Sequence, residues 1–144
     1  MLRELEKIVR QAGDIILTHY DKYDIDINIK KDGSPVTKAD LDSEKYIKSQ
    51  LENYFRFPIV TEESPVSYED RKNWTKFWLI DPLDGTEDFI KKNNEFAINI
   101  ALIENSKPII GVVFAPALNL LYTSELNKGS KKNGLKFKNG ICAA

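Results

Sequence analysis

The chain has 144 residues, which is about the size of one domain and enough to bury a single core. Hydrophobic residues make up 42% of it and charged residues 30%, a balance that excludes a disordered or fibrous protein. The net charge of -1 excludes a general attraction to nucleic acid or to an anionic membrane, so an anionic ligand must be bound by local groups.

The first third of the chain predicts two helices with a strand between them. Apolar residues recur at three- and four-residue steps over residues 2–16, as they do along one face of a helix. Isoleucines alternate with polar residues over residues 24–30, which predicts a strand with one buried face. Thr37, followed three residues later by Asp40, resembles a capping box and predicts the start of the second helix.

Short apolar runs bounded by turn-forming residues predict the remaining strands. They lie at residues 58–61, 76–80, 95–104, 109–114 and 120–124. The last three should form an antiparallel meander, and the weakly patterned segment 127–144 is set apart as a tail. The sequence thus predicts an α/β fold over residues 1–126, with paired helices packed on a largely antiparallel sheet of about six strands.

Acidic residues follow two of these strands. Asp81 and Asp84 stand in the segment DPLDG, whose proline and glycine predict a turn that aims both carboxylates at one point. With the backbone carbonyl of Leu83, they would supply the oxygen ligands that Mg2+ prefers. Glu62 is a third candidate if the two strands are neighbours. Clustered carboxylates repel one another unless a cation neutralises them, which favours a metal centre over the alternative of an acidic turn and a helix cap.

The residues after this cluster suggest phosphate chemistry. Gly85 and Thr86 precede a short helical stretch, whose free N–H groups and positive end would receive phosphate oxygens. Hydrolysis of a phosphomonoester also needs an oriented water, for which a hydroxyl backed by a carboxylate is suited. Thr86 offers the hydroxyl and Asp40 is the candidate carboxylate, with helix capping as its alternative role.

Four blocks, in this order, resemble the inositol monophosphatase superfamily. They are SPVTKAD at 34–40, IVTEES at 59–64, WLIDPLDGT at 78–86 and GVVFAPALNLLY at 111–122. Within the superfamily the chain looks most like the 3'(2'),5'-bisphosphate nucleotidases, which convert adenosine 3',5'-bisphosphate to AMP and phosphate. The resemblance therefore implies a small phosphorylated substrate, a nucleotide bisphosphate or a sugar phosphate, and no nucleic acid polymer.

The resemblance also implies roles for individual residues. Metal ligands fall on Glu62, Asp81, the carbonyl of Leu83, and Asp84; the catalytic positions are Asp40, Thr86 and Glu62; and the amides of Gly85 and Thr86 contact the phosphate. The family implies two or three Mg2+ ions and inhibition by Li+.

Two departures from the family pattern bear on function. Glu87 and Asp88 stand where the nucleotidases usually have Lys-Glu after DGT, which bears on the preference for a bisphosphate. Family members also have a second half with a further metal-binding aspartate and most substrate contacts. Without it, the sheet is expected to expose an apolar face. The alternative hypotheses are an inositol monophosphatase and a non-catalytic metal-binding or dimerising module.

The sequence also bears on location. The single cysteine, Cys142, cannot form an internal disulfide, which is typical of a reducing compartment, and it is a poor candidate for a nucleophile. The first residues carry scattered charges, and no apolar run reaches the roughly 20 residues that would span a bilayer. We expect a cytoplasmic protein without a transmembrane segment.

Overall fold

The computed structural model describes residues 1–136, and its elements follow the predicted order. They are α1 (Leu2–Tyr20), β1 (Ile27–Ile29), β2 (Pro35–Thr37), α2 (Lys38–Tyr54), β3 (Ile59–Thr61), α3 (Tyr68–Arg71), β4 (Lys76–Asp84), α4 (Thr86–Ile90), β5 (Ala97–Glu104), β6 (Lys107–Ala115), β7 (Leu120–Glu125), β8 (Gly129–Lys132) and β9 (Leu135–Lys136). Within residues 1–136, no helix is long and apolar enough to cross a membrane.

The main sheet has seven strands in the sequential order β3 to β9. Strand β3 runs parallel to β4, and every later pair is antiparallel. This confirms the α/β fold and the meander. Within the weakly patterned tail, residues 129–132 and 135–136 form β8 and β9, which are mostly exposed strands without apolar alternation. Residues 137–144, with Cys142, lie outside the described residues, and the domain limit at 126 remains a prediction.

The core lies between the paired helices and one face of the sheet. Fully buried side chains come from α1 (Leu5, Val9, Ala12, Ile16), α2 (Ile47, Leu51) and alternate positions of β4 and β5 (Trp78, Ile80, Ile98, Ile100, Leu102). Burial of each aliphatic side chain of this size contributes about 1.5 to 3 kcal/mol. The predicted helical stripe therefore does bury its apolar residues, with α2 packed against β4 and α1 packed against β5 and β6.

The opposite face of the sheet is apolar and open within the described residues. Leu79 on β4 is 45% exposed and Val113 on β6 is 40% exposed. Ala101 lies opposite Leu79, and Gly111 lies opposite Ala101, so small side chains continue this face between them. The expected exposed apolar face is confirmed.

One strand does not bury the face that its sequence predicted. Ile27 and Ile29 of β1 are 45% and 68% exposed, although their alternation is typical of a half-buried strand. The reason is that β1 pairs with β2 alone, in a two-stranded sheet separate from the main one. In this hairpin, β2 covers one edge of β1, and all three residues of β1 remain exposed.

Candidate metal centre

The first four residues of the acidic segment DPLDG belong to the end of strand β4, and only Gly85 follows the strand. The register between β4 and β5 shifts between Asp81 and Asp84, which marks a bulge. A bulge can accommodate proline and re-aims the side chains beside it. The carbonyl of Pro82 accepts a hydrogen bond of 2.9 Å from the Ser43 hydroxyl of α2. The predicted turn was wrong, and a bulge held by α2 takes its place.

Glu62 reaches the same end of the sheet, because β3 and β4 are neighbours. Its backbone N–H donates to the carbonyl of Ile80 over 3.1 Å, just past the parallel pairing of the two strands. Burial raises the pKa of Asp81 to about 7, with further contributions from the charges of Glu62 and Asp84. Glu62 and Asp84 are therefore both close enough to Asp81 to repel its charge.

The three carboxylates do not form a closed ligand set in this arrangement. Within residues 1–136, no three Asp, Glu, His or Cys side chains are gathered as they would be around an ion. Lys30 Nζ donates to Glu62 Oε1 over 3.0 Å, and Asn99 Nδ2 donates to Asp84 Oδ2 over 2.9 Å. Both carboxylates therefore already have a hydrogen-bond donor of their own beside Asp81.

The donor set nevertheless fits a hard divalent cation. The side chain of Glu62 is 50% exposed and Asp84 is an exposed residue, so both carboxylates can rotate without moving a strand. The carbonyl oxygen of Leu83, which stands between Asp81 and Asp84 in the sequence, lies 3.2 Å from the Thr86 hydroxyl oxygen. Carboxylate and carbonyl oxygens are the ligands that Mg2+ prefers, and a cation would relieve the repulsion at Asp81.

Asp40 both caps helix α2 and bonds the Thr86 hydroxyl, which are the two roles considered for it from the sequence. Its Oδ2 atom accepts from the backbone N–H of Thr37 over 2.8 Å and from the Thr37 hydroxyl, which caps α2. Its Oδ1 atom accepts from the Thr86 hydroxyl over 2.9 Å. Asp40 is 1% exposed, so these bonds fix its carboxylate. The capping prediction is confirmed, and the structure also brings Asp40 and Thr86 together.

Gly85 joins β4 to α4 in a conformation that favours glycine. Its φ is 84°, in the left-handed region, and a Cβ atom there would lie 2.8 Å from the carbonyl oxygen of Glu95. Helix α4 begins directly afterwards at Thr86. Since the first N–H groups of a helix have no partner within it, the amides at this junction face away from the helix body.

Sequence reasoning missed two partners of the acidic residues. Lys30 Nζ also donates to Glu63 Oε1 over 2.8 Å, and Asn99 lies opposite Asp81 in the β4–β5 register. Burial disfavours the charged form of Lys30, but the hydrogen bonds that its ammonium donates to Glu63 and Glu62 outweigh burial and raise the Lys30 pKa above its usual range. Neither residue stands in a motif, because strand pairing and a hairpin bring them to the site.

A family model described as "Inositol monophosphatase family" matches residues 1–141 of the chain. The chain therefore belongs to the inositol monophosphatase family, whose members are phosphatases and generally depend on Mg2+. The resemblance seen in the four sequence blocks is thereby confirmed.

Within this family, the chain is similar to curated 3'(2'),5'-bisphosphate nucleotidases. The 3'(2'),5'-bisphosphate nucleotidase CysQ of Escherichia coli strain K12 is 43% identical over 134 residues, which are 92% of this chain and 54% of that protein. The CysQ protein of Buchnera aphidicola is 37% identical over 100% of this chain and 55% of its own length. The chain thus spans about half the length of these curated relatives and corresponds to their N-terminal half.

Solved structures show the same fold. CysQ from Bacteroides thetaiotaomicron superposes with a TM-score of 0.76 at 36% identity, over 94% of this chain and 50% of that one. The extragenic suppressor protein SuhB from Bartonella henselae gives a TM-score of 0.85 at 25% identity, over 95% of this chain and 53% of that one. The predicted N-terminal lobe of the sugar-phosphatase fold is confirmed.

Proposed function

We propose that this chain is the metal-binding and water-activating half of a Mg2+-dependent phosphomonoesterase that acts on adenosine 3',5'-bisphosphate and releases AMP and phosphate. The observation that carries the proposal is the buried Asp40 carboxylate bonded to the Thr86 hydroxyl, beside the acidic end of β4. Support for this substrate comes from the 43% identity with a CysQ nucleotidase. A cytoplasmic location remains a prediction.

Glu62, Asp81, Asp84 and the Leu83 carbonyl are the residues proposed to hold Mg2+. When bound, Mg2+ would stabilise negative charge on the attacking and leaving oxygens of the phosphoryl group. The pKa of Asp81, raised by burial and then by the charges of Glu62 and Asp84, supports the assignment, because neighbouring carboxylates gain from a shared cation.

Asp40 and Thr86 are proposed to activate the attacking water. The Thr86 hydroxyl proton is directed at Asp40 Oδ1, so the lone pairs of the hydroxyl oxygen can accept a hydrogen bond from water. As the water attacks phosphorus, one of its protons passes to the Thr86 oxygen while the Thr86 proton passes to Asp40. Glu62, whose side chain is half-exposed, is the third proposed catalytic residue.

The phosphate is proposed to bind at the β4–α4 junction. The amides of Gly85 and Thr86 lie at the start of α4, where a helix favours negative charge. An open depression of about 430 Å3 lies beside the acidic residues and includes Glu62, Asp81 and Asn99 in its lining. It offers room for the remainder of a small phosphorylated substrate next to the proposed metal ligands.

Phosphate release from adenosine 3',5'-bisphosphate tests the proposal. We expect release by the chain to require Mg2+ and to disappear in Asp84→Asn. The matched control is Glu87→Gln, which removes an acid three residues away that forms an ion pair with Lys91 at 3.3 Å. Equal release by wild type and Asp84→Asn would remove the assigned mechanism.

An inositol monophosphatase is the second candidate. The IMPase of Thermotoga maritima superposes with a TM-score of 0.81 at 29% identity, and Glu87 and Asp88 depart from the nucleotidase pattern. Rates on inositol 1-phosphate and adenosine 3',5'-bisphosphate, measured side by side, separate the two. A preference for the sugar phosphate would replace the nucleotidase assignment.

The third candidate is a non-catalytic module that dimerises. The exposed apolar face around Leu79 and Val113 favours it, because a second copy could cover that face. Sedimentation of wild type and Val113→Lys tests it: a dimer that dissociates in the variant supports the module, and a wild-type monomer removes it.

A further inference from the structure

Lys30 makes the closest cationic contacts to the proposed metal centre. Its Nζ atom lies 3.0 Å from Glu62 Oε1 and 2.8 Å from Glu63 Oε1. The Glu63 side chain is only 7% exposed, whereas that of Glu62 is 50% exposed. Glu63 is therefore the fixed anchor of the ammonium group, and Glu62 is the carboxylate free to exchange one cation for another.

Lys30 begins a tight turn at residues 30–34, between β1 and β2. The Lys30 N–H donates to the Ser34 carbonyl over 2.8 Å, and the Gly33 N–H donates to the Lys30 carbonyl over 3.0 Å, which closes a tight turn. All three residues of the preceding strand β1 are exposed. The bonds from Lys30 to Glu62 and Glu63 are thus the side-chain link between this turn and the end of β3.

We propose that Lys30 replaces a divalent cation at Glu62 in the ion-free chain, and that cation binding displaces it and loosens the turn at residues 30–34. The inference rests on the proposed metal centre, because it concerns the same Glu62 carboxylate. The physical reason is that the Lys30 ammonium, 3.0 Å from Glu62 Oε1, and a divalent cation bound at the same carboxylate would repel each other. The two cations therefore compete.

Competition predicts that removing the ammonium tightens cation binding. Exposed ion pairs are worth little, so Lys30→Gln should bind Mg2+ about two- to fivefold more tightly than wild type. Lys30→Arg keeps the charge and should bind as wild type does. Lys31→Gln is the matched control, because it makes the same change in net charge at the next residue, which is exposed. Titration calorimetry with Mg2+ alone measures all four proteins.

Equal or weaker binding by Lys30→Gln, or equal tightening in Lys31→Gln, overturns the inference while leaving the metal centre in place. If neither wild type nor Lys30→Gln binds Mg2+, the metal centre fails and the inference with it. Binding by Lys30→Gln alone supports strong competition. These outcomes separate failure of the inference from failure of the proposed function.

Amide hydrogen exchange provides a readout that does not depend on affinity. Saturating Mg2+ should speed exchange at the Lys30 amide in wild type by about two- to fivefold, because the turn loses one of its ion pairs. In Lys30→Gln this amide should exchange faster already without Mg2+ and change little when Mg2+ is added. An amide that exchanges equally with and without Mg2+ in wild type contradicts the displacement.

Discussion

The Oδ1 atom of Asp40 accepts a hydrogen bond of 2.9 Å from the hydroxyl of Thr86, a residue 46 positions further along the chain. The other carboxylate oxygen caps the helix that Asp40 begins. One buried carboxylate therefore joins the start of α2 to the start of α4. Because both oxygens are committed, the Thr86 hydroxyl is held in a single orientation relative to β4.

Removal of the Thr86 hydroxyl should lower the rate of phosphate release by the folded protein. Thr86→Ala is expected to lower Mg2+-dependent phosphate release by about 100-fold or more, because the proton acceptor for the attacking water is lost. Thr86→Ser keeps the hydroxyl and should stay within about tenfold of wild type. Phosphate release measured well below the unfolding temperature checks this. Equal loss in the serine variant would show that the methyl group matters instead.

Loss of the Asp40 carboxylate should reduce both stability and activity. Asp40→Ala leaves the Thr37 N–H without its acceptor and removes the nearer acceptor of the Thr86 hydroxyl, at a cost of about 1 to 3 kcal/mol in unfolding free energy. Asp70→Ala removes a similar partner from Ser67 at the exposed four-residue helix α3 and should cost about 0.5 kcal/mol or less. Urea denaturation compares them, and similar costs would refute the dual role.

Repulsion at the acidic end of β4 predicts an unusual stability change. Asp81→Asn should stabilise the Mg2+-free protein by about 1 kcal/mol after solvent screening, because it removes the charge opposed by burial, Glu62 and Asp84. The same variant should lose most of the stabilisation that Mg2+ gives wild type. Denaturation with and without Mg2+ measures both effects. A less stable variant that keeps its Mg2+ response would contradict the site.

The junction between β4 and α4 should tolerate only glycine. Gly85→Ala combines a φ of 84° with a Cβ contact of 2.8 Å to the Glu95 carbonyl, and we expect a loss of about 2 to 3 kcal/mol. Gly33→Ala has a similar φ of 87° with no atom within 4 Å of the added Cβ, so only about 1 kcal/mol should be lost. Thermal unfolding compares the two. Equal losses would show that close packing at Gly85 is unimportant.

Short sequence patterns predicted the elements whose formation depends on residues that are close together in the chain. Thr37 and Asp40 marked the start of α2 because a capping box lies within four residues. The exposure of Ile29 and the pairing of Asn99 with Asp81 could not be predicted, since both depend on which strands become neighbours. Strands β8 and β9 were not predicted, because a mostly exposed strand does not need alternating apolar residues.

Titration calorimetry with Mg2+ tests most directly whether Glu62, Asp81 and Asp84 share a cation. Asp81→Asn and Asp84→Asn should each lower the affinity for Mg2+ by about tenfold or more, because each removes a charged oxygen ligand. Glu87→Gln removes an equal charge from an exposed position beyond the cluster and should bind as wild type does. Unchanged Mg2+ affinity in both aspartate variants would contradict the metal centre.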